Sequence, residues 1–240
     1  MYDYCRAPDS EPVLVTTKVM MQTSRQLQHR LMCSSCEHSL NIGGEEWLLP
    51  LLATIDKTFP LLDLIETLPP EAVDGDDRIY AASRNPAIHV DRLLHFVMGV
   101  FWKASIHSWS GNSKEPLIEL GPYGEKVRTF LRGETPFPKN MGLVIGVLPR
   151  EKAVVSFSYP YRGLAKDCHN FIFYIPGVQV ALNAGKRLPT GMPTFCFASH
   201  PLHPILVADL SSDVKSVFRG VIAKAHKSRR LVKYLRSHTM

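Results

Sequence analysis

Apolar positions set two different rhythms along this chain. Between residues 90 and 106, Leu93, Leu94, Val97, Val100, Phe101 and Ala104 recur at steps of three and four. That is the stripe of an amphipathic helix. A shorter helix is predicted from 125 to 132, closed by Gly133 as its C-terminal cap. From Gly142 the rhythm changes: segments 143–148, 153–159, 169–175 and 178–182 are rich in β-branched and aromatic residues and predict strands. Ile175-Pro-Gly-Val178 leaves two residues for a tight connection, and such short links predict an antiparallel meander rather than βαβ units. Beyond the prolines at 189, 193, 201 and 204 one more strand is expected at 205–208. Helical steps return over 212–236, where Val214, Val217, Phe218, Val221, Ile222, Ala225, Val232 and Leu235 trace one face.

The first third reads differently. Segment 13–17 is β-prone, and so is 26–32, where Leu27, His29 and Leu31 alternate with polar neighbours. They lead into Leu31-Met-Cys-Ser-Ser-Cys-Glu-His38, a Cys-x-x-Cys turn at the mouth of an expected helix. Two short strands, a Cys-x-x-Cys turn and a helix follow one another in treble-clef zinc modules. Gly43-Gly44 is expected to close this segment. Segment 45–68 is expected to be helical in two pieces, with Pro50 near the start of the first and Pro60 opening the second. Pro69-Pro70 stops it, and Asp74-Gly-Asp-Asp77 marks a surface turn that lacks the glycine and distal glutamate offsets of a calcium loop.

Composition narrows the class. The chain has 240 residues, 45% hydrophobic and 21% charged, an ordinary globular balance. No run of eighteen apolar residues occurs, and the most apolar stretch, 48–68, carries Asp56, Lys57, Asp63 and Glu66, so no membrane span is expected. The amino terminus lacks the basic start and apolar core of a signal peptide, which predicts a cytoplasmic protein. Its five cysteines (Cys5, Cys33, Cys36, Cys168, Cys196) then read as thiols or metal ligands rather than a disulfide framework. The net charge of +6 is concentrated: from Asp213 onward eight bases face one acid, leaving the rest near neutrality.

Cys33 and Cys36 are the candidate metal ligands, because a tight turn points both sulfurs to one side and two thiolates suit a soft cation. Zinc is the expected ion. Cys5, His29, His38 or the Cys168-His169 pair are the possible completing donors. A thioredoxin-like redox pair is disfavoured, since the motif is not set in a βαβ pattern. His38 and Glu37 are the candidate catalytic residues, as general base or metal ligand; the competing reading places Glu37 at the positive end of the helix and His38 in solvent. Asp91 and His95, four apart, could form a His–Asp pair, but an i,i+4 helix contact or a hydrogen-bonded core edge explains them equally well; His200-x-x-His203 and Cys168-His169 read as turn structure. Lys224, Lys227, Arg229, Arg230, Lys233 and Arg236, with Tyr234 among them, form a cationic face suited to phosphate, which makes DNA or RNA the expected partner. The alternative is a solvated outer helix face. No P-loop, dinucleotide fingerprint, Gly-x-Ser-x-Gly elbow or His-Glu-x-x-His occurs.

The segment from Leu31 to Glu37, with His95-Phe-Val-Met-Gly-Val-Phe-Trp-Lys-Ala-Ser105 and His169-Asn-Phe-Ile-Phe-Tyr-Ile175, resembles a family of uncharacterised bacterial proteins. In that family an HNH-like treble-clef zinc module precedes a helical-plus-sheet body, and the resemblance covers most of the chain. Members begin with a first Cys-x-x-Cys and a Ser-His pair, which in HNH nucleases supply the zinc partner and the catalytic histidine. Both are absent here, and Cys33 and Cys36 match the second pair. The resemblance therefore implies a member that starts late, as a truncated reading frame or a shortened copy.

The expected architecture is α+β: a short treble-clef-like segment (1–44), a body of helices and antiparallel sheet (45–210), and a basic amphipathic C-terminal helix (211–240). The expected function is a nucleic-acid-associated protein related to HNH-type zinc modules and catalytically incomplete. An active nuclease dependent on Mg²⁺ or Mn²⁺ is one alternative. A non-enzymatic protein-interaction domain, its partner unidentified, is the other.

Overall fold

A computed structural model describes residues 13–15, 20–22, 31–108, 116–165 and 167–227. The amino-terminal strands β1 (Val13–Val15) and β2 (Met20–Gln22) pair as an antiparallel hairpin. Most of the expected 26–32 strand lies outside the described residues. The next helix starts as α1 (Ser34–Leu40), loosens into a π turn (Asn41–Glu45), tightens as α2 (Glu46–Leu48) and ends in a 3-10 turn (Leu49–Leu51).

Two expectations are corrected here. Gly43 and Gly44 do not close the segment but lie inside the π turn. A Cβ on Gly43 would overlap the His95 ring, and one on Gly44 the Arg92 carbonyl. The glycines let this helix cross closely over α4 (Val90–Ile106), whose bounds match the predicted stripe. Pro50 sits in the first positions of the closing 3-10 turn, at the end of the first helical piece rather than near its start, while Pro60 does open α3 (Pro60–Ile65).

Strands β3 (Ala72–Asp74) and β4 (Asp77–Ala81) form a hairpin around Gly75, where φ is +60°. Helix α5 (Tyr123–Leu131) closes as expected at Gly133, φ +71°. The Gly133 N–H donates to Phe130 O at 2.8 Å and the Glu134 N–H to Thr129 O at 3.0 Å, the paired bonds of a Schellman cap. Strands β5 (Met141–Val147), β7 (His169–Ile175) and β8 (Val178–Ala184) agree with the predicted segments to within two residues at each end. Pro176-Gly177 turns β7 into β8, with Gly177 at φ +80°.

The sheet has seven strands in the order β3-β4-β9-β5-β8-β7-β6, with β6 at Tyr161–Arg162 and β9 at Pro204–Val207. It is mixed, which corrects the expected antiparallel sheet. β9 runs parallel to β5, Ile145 opposite Ile205 and Val147 opposite Val207, and antiparallel to β4. The long passage from 185 to 203, which includes α6 (Met192–Phe195), gives the chain room to re-enter on the far side of β5. The strand expected at 153–159 does not form a ladder. Val154 O accepts from Gly177 N at 3.2 Å and Ser158 N donates to Tyr174 O at 2.9 Å, isolated bonds that hold an extended segment against β7.

One face of the sheet buries Leu143, Ile145, Phe171, Phe173, Val180 and Leu182 against α4, with the Phe101 and Phe173 rings edge-on at 4.9 Å. Burial of this apolar surface is the main favourable term for the body. The other face carries a smaller cluster, Leu148, Tyr174 and Val214, under α7 (Ser211–Lys227). The amino-terminal strand β1 also packs beside α7. No helix among the described residues is long and apolar enough to cross a membrane.

Candidate functional site

Cys33 is the N-cap of α1, in extended backbone (φ −70°, ψ 159°), and Cys36 lies in the first turn. The Glu37 N–H donates to Cys33 O at 3.0 Å and starts the helix. Both thiols are exposed. Cys33 Sγ lies 3.1 Å from Ser35 Oγ. That hydroxyl is the main reason the Cys33 thiol is lowered to about 7, with the Cys36 backbone N–H and thiol adding to it. The Cys36 thiol is raised instead: its hydrogen bond to Cys33 and the charge developing there both hold its proton on, and nearby Arg132 opposes them. One thiolate therefore forms readily and the second follows at higher pH.

Around the pair, Lys103 of α4 reaches Glu37 at 3.4 Å and Glu45 at 3.0 Å, tying α1 and the π turn to the central helix. Glu37, expected as a candidate base, has its carboxylate in this bridge. His38 is exposed, and its imidazole makes no hydrogen bond among the described residues. Arg132, which caps α5 and pairs with Glu134 at 2.7 Å, is the cation that acts on the Cys36 thiol. Lys103 and Arg132 had no signal in the sequence, being remote from the motif. Ser35 sat inside it, and a hydroxyl between two cysteines was readable as a thiolate partner.

Among the described residues no three His, Cys, Asp or Glu side chains converge on one point. His38 and the Cys168-His169 pair thus do not complete a shell with Cys33 and Cys36. Cys5 and His29 lie outside the described residues. Cys168 faces Asn183 Oδ1 at 3.6 Å, and the His169 ring stacks parallel to Phe171, so both serve the sheet. Asp91 and His95 do not bond to each other: His95 Nε2 lies 3.1 Å from Leu131 O. His200 Nδ1 accepts from Leu202 N at 3.2 Å and His203 Nδ1 donates to Phe197 O at 2.6 Å, so both fasten the turn before β9.

Of the expected cationic residues, Lys224 and Lys227 fall in the last turns of α7, described in backbone alone. Arg229, Arg230, Lys233 and Arg236 lie outside the described residues. Earlier in the same helix, Lys215 and Arg219 are exposed one turn apart while Val214 is buried, so α7 turns bases outward where its side chains are described.

No family model, no curated protein and no solved structure matches this chain.

Proposed function

We propose that this chain is a nucleic-acid-associated protein related to HNH-type zinc modules, with a structural metal pair and no complete catalytic centre. The observation that carries the reading is the exposed Cys33–Cys36 pair within one helical turn, with Cys33 poised to ionise near neutral pH. Thiolate, not thiol, is the ligand form for zinc. The pair fits such an ion chemically and supplies two of the four donors of a tetrahedral shell. Cys5 and His29, which precede and follow the β1–β2 hairpin in sequence, are the remaining candidates of the expected donor set and lie outside the described residues. Chain order supports the treble-clef kinship, hairpin first and then a helix that opens on two cysteines. Packing does not add to it, since β1 lies beside α7.

Catalytic incompleteness rests on the neighbours. HNH chemistry needs an imidazole to activate water beside a cation. His38 has no orienting partner among the described residues, and Glu37 is held by Lys103. Nucleic-acid association rests on the charge concentrated in sequence from Asp213 onward and on the outward Lys215 and Arg219. Cobalt(II) titration of the full chain tests the metal reading. A thiolate-to-cobalt charge-transfer band that vanishes in both Cys33→Ser and Cys36→Ser is expected, with no DNA or RNA cleavage in Mg²⁺ or Mn²⁺. Absence of the band in the parent chain would overturn the metal site; cleavage lost in His38→Ala would restore the nuclease alternative.

A second reading is favoured by the unequal thiols. Cys33 as the reactive thiolate and Cys36 as its resolving partner would make a dithiol that closes to a disulfide. A low-molecular-weight disulfide would take up the two electrons and be released as two thiols.

A further inference from the structure

The turn before β9 borders a groove of about 470 Å³ whose other wall is the start of α4. Ser83, Asn85, His89, Asp91, Arg92 and His203 line it. His203 stands at φ 47°, a left-handed position that few residues other than glycine adopt. Its backbone is fixed on both sides: its N–H donates to His200 O at 3.0 Å, and its carbonyl accepts from Ala82 N at 3.2 Å. Its Nδ1 faces the Phe197 carbonyl at 2.6 Å, and a carbonyl only accepts, so Nδ1 carries the proton. In the neutral ring this leaves Nε2 as the acceptor, its orientation held by the Nδ1 bond.

Asp91 and Arg92 are both exposed, and neither enters an ion pair among the described residues. Nearby charges are matched: Glu71 with Arg84, Glu66 with Arg78. The His89 ring is held edge-on to Trp47 at 5.4 Å. One groove thus gathers an uncommitted guanidinium, an uncommitted carboxylate and an oriented imidazole acceptor.

We propose that this groove binds a small hydroxylated phosphate ester, with Arg92 on the phosphate and His203 Nε2 and Asp91 accepting hydrogen bonds from its hydroxyls. A guanidinium fork matches phosphate oxygens. The carboxylate and the imidazole acceptor both demand donors; inorganic phosphate offers only P–OH on the group that Arg92 would hold, whereas a sugar phosphate carries hydroxyls at a distance from it. A neutral sugar, in turn, leaves Arg92 unused. The volume lies within the usual range for small-molecule sites. This site is separate from the thiol pair and the cationic helix, and goes beyond the function proposed for them.

The probe is ribose 5-phosphate, with ribose and inorganic phosphate as comparison arms, titrated into the full chain while the His203 ring resonances are followed by NMR. A saturable shift with ribose 5-phosphate is expected, at an affinity at least tenfold above either comparison compound. Arg92→Ala should weaken binding by roughly tenfold or more, the loss of a hydrogen bond between charged groups, and His203→Asn by roughly threefold or more, the loss of a neutral one. Asparagine tolerates the left-handed backbone, and its amide N–H can replace Nδ1–H while removing Nε2. Arg92 is exposed, so its variant reads binding even if His203→Asn fails to fold. No saturable shift in the parent, unchanged affinity in Arg92→Ala, or inorganic phosphate binding as tightly as the ester would overturn the proposal. None of these outcomes involves Cys33 or Cys36, so failure here leaves the metal reading to its own test.

Discussion

Cys33 and Cys36 are chemically identical and one turn apart, yet they lose their protons in order. Ser35 and the backbone stabilise the Cys33 thiolate, and that thiolate holds the proton on Cys36. Because the thiolate is the nucleophile, metal-free protein should alkylate at Cys33 with half-maximal rate near pH 7, about where its thiol titrates, and at Cys36 only at higher pH. Ser35→Ala should move the Cys33 midpoint upward. Peptide mapping after timed iodoacetamide treatment reads both, and identical profiles for the two cysteines would contradict the account. The bridge beside them is structural: Lys103→Met leaves Glu37 and Glu45 without their cation. Since both carboxylates retain solvent, a loss of about 1 kcal/mol is expected in urea denaturation. At this scale the sequence showed the cysteines by their spacing. Arg132 beside Cys36 and Lys103 beside Glu37 become neighbours of this turn only through tertiary packing.

Among elements, the stripe over 90–106 was legible because a helix buried along one side must repeat its apolar positions, and α4 has the bounds that the pattern requires. The π turn was not legible. Glycines usually end helices, and only the crossing with α4 shows that these two are there for close approach. Gly44→Ala should therefore cost about 1–3 kcal/mol, since its Cβ would meet the Arg92 carbonyl and lie 2.7 Å from Phe96 Cβ. Gly99→Ala makes the contrast: its Cβ would stop 3.5 Å from Leu40 Cδ2, ordinary contact, and alanine favours the helix, so stability should hold or rise. Chemical denaturation of the two variants checks the pair, and equal losses would contradict the crossing. The parallel β5–β9 pair escaped prediction for another reason. Strand composition gives existence, but pairing partners are set by a distant passage of chain, here 185 to 203.

Across the whole molecule, charge is divided rather than spread, with a nearly neutral body and a strongly basic final segment. Polyanion binding should therefore weaken steeply as salt rises. Charge reversal of Lys227, Arg229 and Arg230 to Glu should lower affinity and flatten the log K against log salt plot by about 0.7–0.9 for each phosphate no longer neutralised. Unchanged affinity in that variant, measured by fluorescence anisotropy with labelled single- and double-stranded oligonucleotides, would contradict the electrostatic reading. The α+β class was legible from the two rhythms, and the mixed sheet and the groove beside His203 were not, because both depend on how distant segments meet. Native mass spectrometry of the full chain purified without chelators reads zinc binding at Cys33 and Cys36 without an intermediary. The mass of the chain plus one zinc ion is expected, with the zinc lost in Cys33→Ser. A metal-free mass would contradict it, and one short of the two thiol hydrogens would assign the pair to disulfide chemistry instead.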